Sequence, residues 1–193
     1  MSLLGNNIGQ LCKNLGISLI YAIPLYAARF LSTLASLQYL TLQLLQLGIL
    51  SHGVAHQQVP LWRTAATMLW ASVACYLSFT FTDGLLLRWL FHYGPRATII
   101  RLLSLNAFNY YISTTALTLP SGRPSSDLPV WILLSLVLTA AYIVQDWLTS
   151  NLAATQSDGR ALNLIEIAVF CVVPVGMASF ITMCLMLIYG NVL

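Results

Sequence analysis
Long apolar runs, separated by short polar stretches rich in Gly, Pro and Ser, set the pattern of this chain. Residues 61–87, 98–119, 130–150 and 164–189 form four such runs, each close to the ~20 residues with which a helix crosses a hydrocarbon core of ~30 Å. Between them stand "SHGVAHQQVP", "FHYGPR", "PSGRPSSDLP" and "AATQSDGRA", stretches with the composition of turns. Pro174, followed by Gly176, predicts a kink in the last helix.

The first run, 17–50, is less simple. As one straight helix it would be about 50 Å long, well beyond the hydrocarbon thickness. It contains Pro24 and Arg29, and its second half, "SLQYLTLQLLQLG", carries Gln38, Gln43 and Gln46. One reading is a tilted span over 17–39 followed by a helical extension at the interface, and another is a re-entrant or interfacial first half. A single crossing is adopted here. The pattern then predicts an all-α fold: a polytopic membrane helix bundle of about five transmembrane helices, with residues 1–193 as one integral membrane domain and spans at 17–39, 61–87, 98–119, 130–150 and 164–189.

Composition agrees with that pattern. Of 193 residues, 59% are hydrophobic and 7% charged, against about 25% charged in soluble domains. The short loops leave no room for a soluble catalytic domain, so any chemistry would fall to groups in or beside the bilayer. Nothing suggests a nucleic-acid partner. Cys75, Cys171 and Cys184 lie in apolar runs and Cys12 stands alone near the N-terminus, which is neither a disulfide framework nor a metal spacing. The mixed, polar stretch Met1–Asn14 is unlike a cleaved signal peptide. The chain has no Asn-x-Ser/Thr acceptor.

Charge placement adds an orientation. With five crossings, Lys13, Arg88, Arg96, Arg101 and Arg160 share one side, while Arg63 and Arg123 take the other. The positive-inside rule puts the first side in the cytosol, so the N-terminus is expected to be cytosolic and the C-terminus lumenal. The same face gathers Asp83, Asp146 with Gln145 and Asn151, and Glu166. A charge at mid-span costs about 2.5–3.5 kcal/mol on insertion scales, and Asp is too short to snorkel far. Mutual pairing of Asp83, Asp146 and Glu166 with Arg88, Arg96 and Arg101 is the economical expectation. Asp83 and Arg88 are five apart, poorly placed for each other on one helix, so their partners are expected on other helices. Two uses stay open. One is an ion-pair lock that fixes helix register; the other is a cytosol-facing polar funnel whose arginines clamp an anionic headgroup or phosphate.

Other features weigh less. His52 and His56 are at i, i+4, but no adjoining Glu or third ligand makes them a metal site. Arg29 has either a buried partner, such as Asp146, or headgroup contact. Trp62, Trp89, Tyr93 and Trp131 near span ends form an aromatic belt. Ala71 with Cys75, Ala74 with Ser78, and Gly176 with Ser179 are small-residue pairs suited to close helix packing or to a partner's face. No Ser/His/Asp set, phosphate-cradling Gly loop or paired lumenal acids is seen, so no catalytic residue, cofactor or metal is assigned.

Three segments, "YLSFTFTDGLLLRWLFHY" (76–93), "LTAAYIVQDWLTSNL" (138–152) and "VVPVGMASFITM" (172–183), resemble the fungal N-glycosylation protein family of multi-pass endoplasmic-reticulum proteins. Members are also associated with oxidative-stress tolerance. The resemblance implies an endoplasmic-reticulum protein that supports N-glycosylation, and it transfers no catalytic residues. It places Asp83, Gly84, Arg88, Trp89, Gln145, Ser150, Asn151, Pro174 and Gly176 within the matching segments. The expected role is that of a non-enzymatic accessory subunit with another membrane protein as partner. The rival is a lipid-handling protein that holds a phosphate-bearing lipid, such as a polyprenyl phosphate, in the funnel.

Overall fold
A computed structural model describes residues 19–51, 60–118, 127–154 and 168–189. The described elements are all helical: α1 (Leu19–Leu31), α2 (Leu34–Ser51), α3 (Leu61–His92), α4 (Pro95–Thr118), α5 (Asp127–Ala154), a π-helical turn (Ala168–Val172) and α6 (Val173–Tyr189). Local chemistry sets several of these bounds. Pro95 opens α4 as its first residue, where the missing N–H has no helical partner anyway. Before it, Tyr93 is extended and donates its N–H to the Trp89 carbonyl at 2.8 Å, which closes the α3–α4 corner. Pro174 cannot donate to the carbonyl four residues back, and the widened π turn lies immediately upstream of it.

The long α3 is the centre of the fold. It touches every other described helix, most extensively α5 and then α2. Gly84 and Arg88 of α3 lie at Gln145 of α5, while Ala66–Leu77 pack with Leu128, Trp131 and Leu134; the two helices therefore run in the same direction. Tyr21 meets Arg96, Ser32 meets Asn109 and Gln38 meets Tyr110, so α1 and α2 follow α4 along its length. With Trp70 bonded to Thr182 and Cys171 near Tyr76, α6 runs opposite to α3. The result is five columns that alternate in direction, the first made of α1 and α2 end to end.

Two apolar clusters divide the interior. One joins α3, α5 and α6 around Trp70, Leu77, Trp131 and Ala178; the other joins Leu25, Ala28, Leu86, Leu90 and Leu102 from α1, α3 and α4. Ser78, Thr82 and Asp83 lie on α3 between them, all buried. Outward, the helices stay apolar: Ile23 is 65% exposed, Leu133 60%, Phe180 65% and Leu187 71%.

Among the described residues two helices are long and apolar enough to cross a membrane, Leu61–Leu90 and Asp127–Trp147, and Val173–Tyr189 is a shorter apolar helix. That is compatible with a membrane protein and is fewer than the five spans expected from the apolar runs. The first run is broken at Ser32–Thr33 into a 13-residue and an 18-residue helix. The run over 98–119 falls in α4, which carries Arg101, Ser104, Asn106 and Asn109. The helix in the last run starts at Val173, after the π turn.

Candidate functional site
The break in the first column results from Ser and Thr side chains. The Thr33 N–H turns to the Phe30 carbonyl, three residues back, at 3.2 Å. The Arg29 carbonyl, which Thr33 would cap in a regular helix, takes the Ser32 hydroxyl instead at 2.8 Å, and the Thr33 hydroxyl returns to Phe30 at 2.8 Å. Such back-bonding competes with the helical ladder and bends the axis. In an apolar setting the released carbonyls must find donors, and α3 and α4 supply them. Ser78 donates to the Ser32 carbonyl at 2.8 Å, and Asn109 reaches both that carbonyl (3.5 Å) and the Ser78 hydroxyl (2.8 Å). The Asn106 amide donates to the Ala28 carbonyl.

Beside the break sits an ion pair. Arg29 Nε lies 2.8 Å from Asp83 Oδ1, with the two side chains 10% and 4% exposed. The contact is close but not aligned as a hydrogen bond. The Arg29 guanidinium also covers the Phe79 ring, 4.4 Å from its centroid, and Phe79 and Asp83 are one turn apart on α3, as neighbours on one face should be. The pair ties α1 to α3 at the layer between the two apolar clusters.

This corrects the expected pairing. Asp83 takes Arg29, not Arg88, Arg96 or Arg101. Five residues turn a helix by about 140°, so Arg88 faces elsewhere, and its guanidinium points at the Gln145 carbonyl at 3.5 Å. Arg96 bonds the Tyr21 hydroxyl at 2.9 Å, and Arg101 lies over the Tyr93 ring, 3.8 Å from its centroid. Asp146 is half-buried and makes no ion pair among the described residues; it is not Arg29's partner. Glu166, His52, His56, Lys13, Arg123 and Arg160 lie outside the described residues. The cluster read from sequence is thus divided. The buried Arg29–Asp83 pair lies deep in the fold, and a rim of arginines lies at the α3–α4 corner. The rim affects Tyr93, whose phenol is held below its ordinary value by the Arg101 hydrogen bond and charge, with the Arg88 charge adding to the effect.

The small residues divide as well. Ala71 and Ala74 are buried in the larger apolar cluster, Cys75 is half-buried, and Ser78 makes the α1–α2 contact just described. Gly176 is exposed with no atom within 4 Å of an added Cβ, and Ser179 is half-buried. A closer approach occurs at Gly84, where a Cβ would lie 2.7 Å from Gln145 Nε2. Contacts at the other end escaped the sequence reading. Tyr39 donates to Asp127 at 3.1 Å and packs tilted against Trp131 with ring centroids 5.0 Å apart, and Trp70 Nε1 donates to Thr182 at 3.0 Å. Only the polar tips of Tyr39 and Trp70 within apolar runs hinted that partners were needed.

Residues 63–159 and 153–189 match the EOS1 family, described as N-glycosylation protein. The matched region takes in Asp83, Gly84 and the arginine rim, and begins after Arg29. N-glycosylation protein eos1 of Schizosaccharomyces pombe is 44% identical over 137 residues, which cover 65% of this chain and 66% of that protein. N-glycosylation protein EOS1 of Saccharomyces cerevisiae is 42% identical over 86 residues, 44% of this chain and 23% of that protein. The chain therefore spans less than two thirds of either relative. No solved structure matches. A match over α3 to α6 that runs through the centre of the fold shows that the chain belongs to the EOS1 N-glycosylation protein family.

Proposed function
We propose that this chain is a multi-pass protein of the endoplasmic-reticulum membrane that supports N-glycosylation as a non-enzymatic accessory subunit of a membrane complex. The link to N-glycosylation comes from family membership and from the printed names of the fission-yeast and budding-yeast relatives. The alternating columns and their outward-facing apolar side chains support the multi-pass reading, because a surface so apolar suits lipid or protein contact better than water. The arginine rim at the α3–α4 corner supports a cytosolic location for that end, with a cytosolic N-terminus and a lumenal C-terminus.

One observation carries the non-enzymatic reading. Polar groups at the centre of the matched region join helices: Asp83 meets Arg29, Arg88 meets the Gln145 backbone, and the Gln145 amide lies against Gly84. Groups engaged in this way favour a joining role over a catalytic one. Exposed Gly176, beside Met177 (57% exposed) and Phe180 (65%), offers a notch for a partner helix. The test is purification in a mild detergent with mass spectrometry of associated proteins, alongside glycan occupancy of a reporter glycoprotein in cells that lack the chain. A stoichiometric membrane-protein partner and reduced occupancy are expected. Normal occupancy without the chain, or purification with no protein partner, would overturn the proposal.

A further inference from the structure
The geometry points to a binding site for the phosphate of an anionic membrane lipid, formed by Arg101 lying over Tyr93 with Arg96 on the same end of α4. It goes beyond the accessory-subunit role and rests on the chain lying in a membrane. Among the described residues neither Arg96 nor Arg101 meets a carboxylate, and both are exposed. Each is nevertheless held in place, Arg96 by the Tyr21 hydroxyl at 2.9 Å and Arg101 by the Tyr93 ring at 3.8 Å. The Arg101 guanidinium lies over the ring and shares a hydrogen bond with the Tyr93 hydroxyl, and its remaining N–H groups are those that can meet an oxyanion. Arg101 is therefore oriented in advance, and no carboxylate among the described residues neutralises its charge. The lowered Tyr93 phenol reports the same positive field, to which Arg88 contributes.

The flank of α4 suits the rest of a lipid. At about 100° per residue, Arg96 and Arg101 are about 140° apart around the helix axis, with Ile100, Phe108 and Tyr111 inside that arc. These three are 68%, 62% and 68% exposed. A mostly apolar stripe, interrupted by exposed Ser104, thus runs down the helix from between two cations. This is the complement of a lipid whose charged headgroup lies at the membrane surface and whose chain lies along the helix. The Arg29–Asp83 pair, buried and internally neutralised, takes no part.

The test uses the full chain in mixed micelles containing phosphatidic acid and phosphatidylcholine with matched acyl chains, and reads retained lipid by native mass spectrometry. The wild type is expected to retain phosphatidic acid in preference to phosphatidylcholine. Arg101→Gln and Arg96→Gln should each lower that preference about fivefold, at wild-type helicity and yield. Arg101→Lys keeps the charge but loses the planar fork, and should fall between wild type and Arg101→Gln. An Arg96→Gln/Arg101→Gln variant that folds normally and keeps the full preference would overturn the site. Displacement of the lipid by millimolar inorganic phosphate would also overturn it, because a soluble anion would then be the ligand. Failure of the wild type to enter micelles would instead sink the membrane reading, an outcome distinct from entry without preference.

Discussion
Asp83 is only 3% exposed and lies nine residues inside the C-terminal end of α3, a depth of about 14 Å at 1.5 Å per residue. Arg29 makes that position tolerable, and removing either partner strands the other. Breaking a buried pair in this way costs about 3–5 kcal/mol in measured cases, whereas replacing both partners with apolar residues is often neutral. Asp83→Asn or Arg29→Gln should therefore lower the unfolding midpoint in detergent, and Arg29→Met combined with Asp83→Leu should recover most of the loss. Arg29 was visible in the sequence as a charge within an apolar run, and Asp83 as a carboxylate too deep to snorkel. Their pairing was not visible, because it depends on how α1 docks against α3, more than fifty residues away in the chain. At the rim, Tyr93 supplies a spectroscopic readout. Its phenol should titrate below an ordinary tyrosine, as seen in the absorbance difference between wild type and Tyr93→Phe, and Arg101→Gln should move that titration upward. An unchanged titration would separate Arg101 from Tyr93.

At the scale of elements, the break at Ser32–Thr33 is held from outside. Its released Ser32 carbonyl is served by Ser78 and Asn109, which also bond each other. Ser78→Ala and Asn109→Ala should each cost about 0.6 kcal/mol and at most about 1.7, the mean and maximum measured between membrane helices, and the double variant should cost less than their sum. Additive losses in thermal unfolding would show two independent contacts. The α3–α5 contact at Gly84 behaves differently. A methyl there meets only the mobile end of Gln145, and the helix gains about 0.8–1.0 kcal/mol when Ala replaces Gly. Gly84→Ala should accordingly be near neutral in unfolding assays. Gly84→Leu, an overpacking change of about 1–3 kcal/mol, should loosen the two helices. The apolar runs marked α3 and α5 well, since an unbroken stretch of oil-like side chains is itself the signal for such a helix. They did not mark the break, since serine and threonine back-bonding is decided by donors on other helices.

At the scale of the molecule, the two ends differ. Tyr21, Arg88, Arg96 and Arg101 lie at one, and Tyr39, Asp127 and Thr118 at the other. The proposed topology places these ends on opposite membrane faces. With Cys12, Cys75, Cys171 and Cys184 replaced, Ala97→Cys should react with an impermeant maleimide added outside sealed microsomes, and Thr118→Cys only after permeabilisation. Equal labelling of both would contradict the crossing of α4. The family resemblance carried by "YLSFTFTDGLLLRWLFHY", "LTAAYIVQDWLTSNL" and "VVPVGMASFITM" was legible from sequence and is matched across α3 to α6. The separation of the charges into a buried pair and an outer rim was not, because residue spacing along one helix cannot reveal which neighbour each face meets.

The charge inside the fold joins helices, whatever the rim binds. The most direct measurement compares Asp83→Asn with the apolar replacement Arg29→Met/Asp83→Leu in cells, scoring protein abundance and reporter glycan occupancy together. The account predicts that Asp83→Asn lowers both and that the double replacement restores both. An Asp83→Asn protein at wild-type abundance with lost occupancy would contradict it and make Asp83 part of a working site.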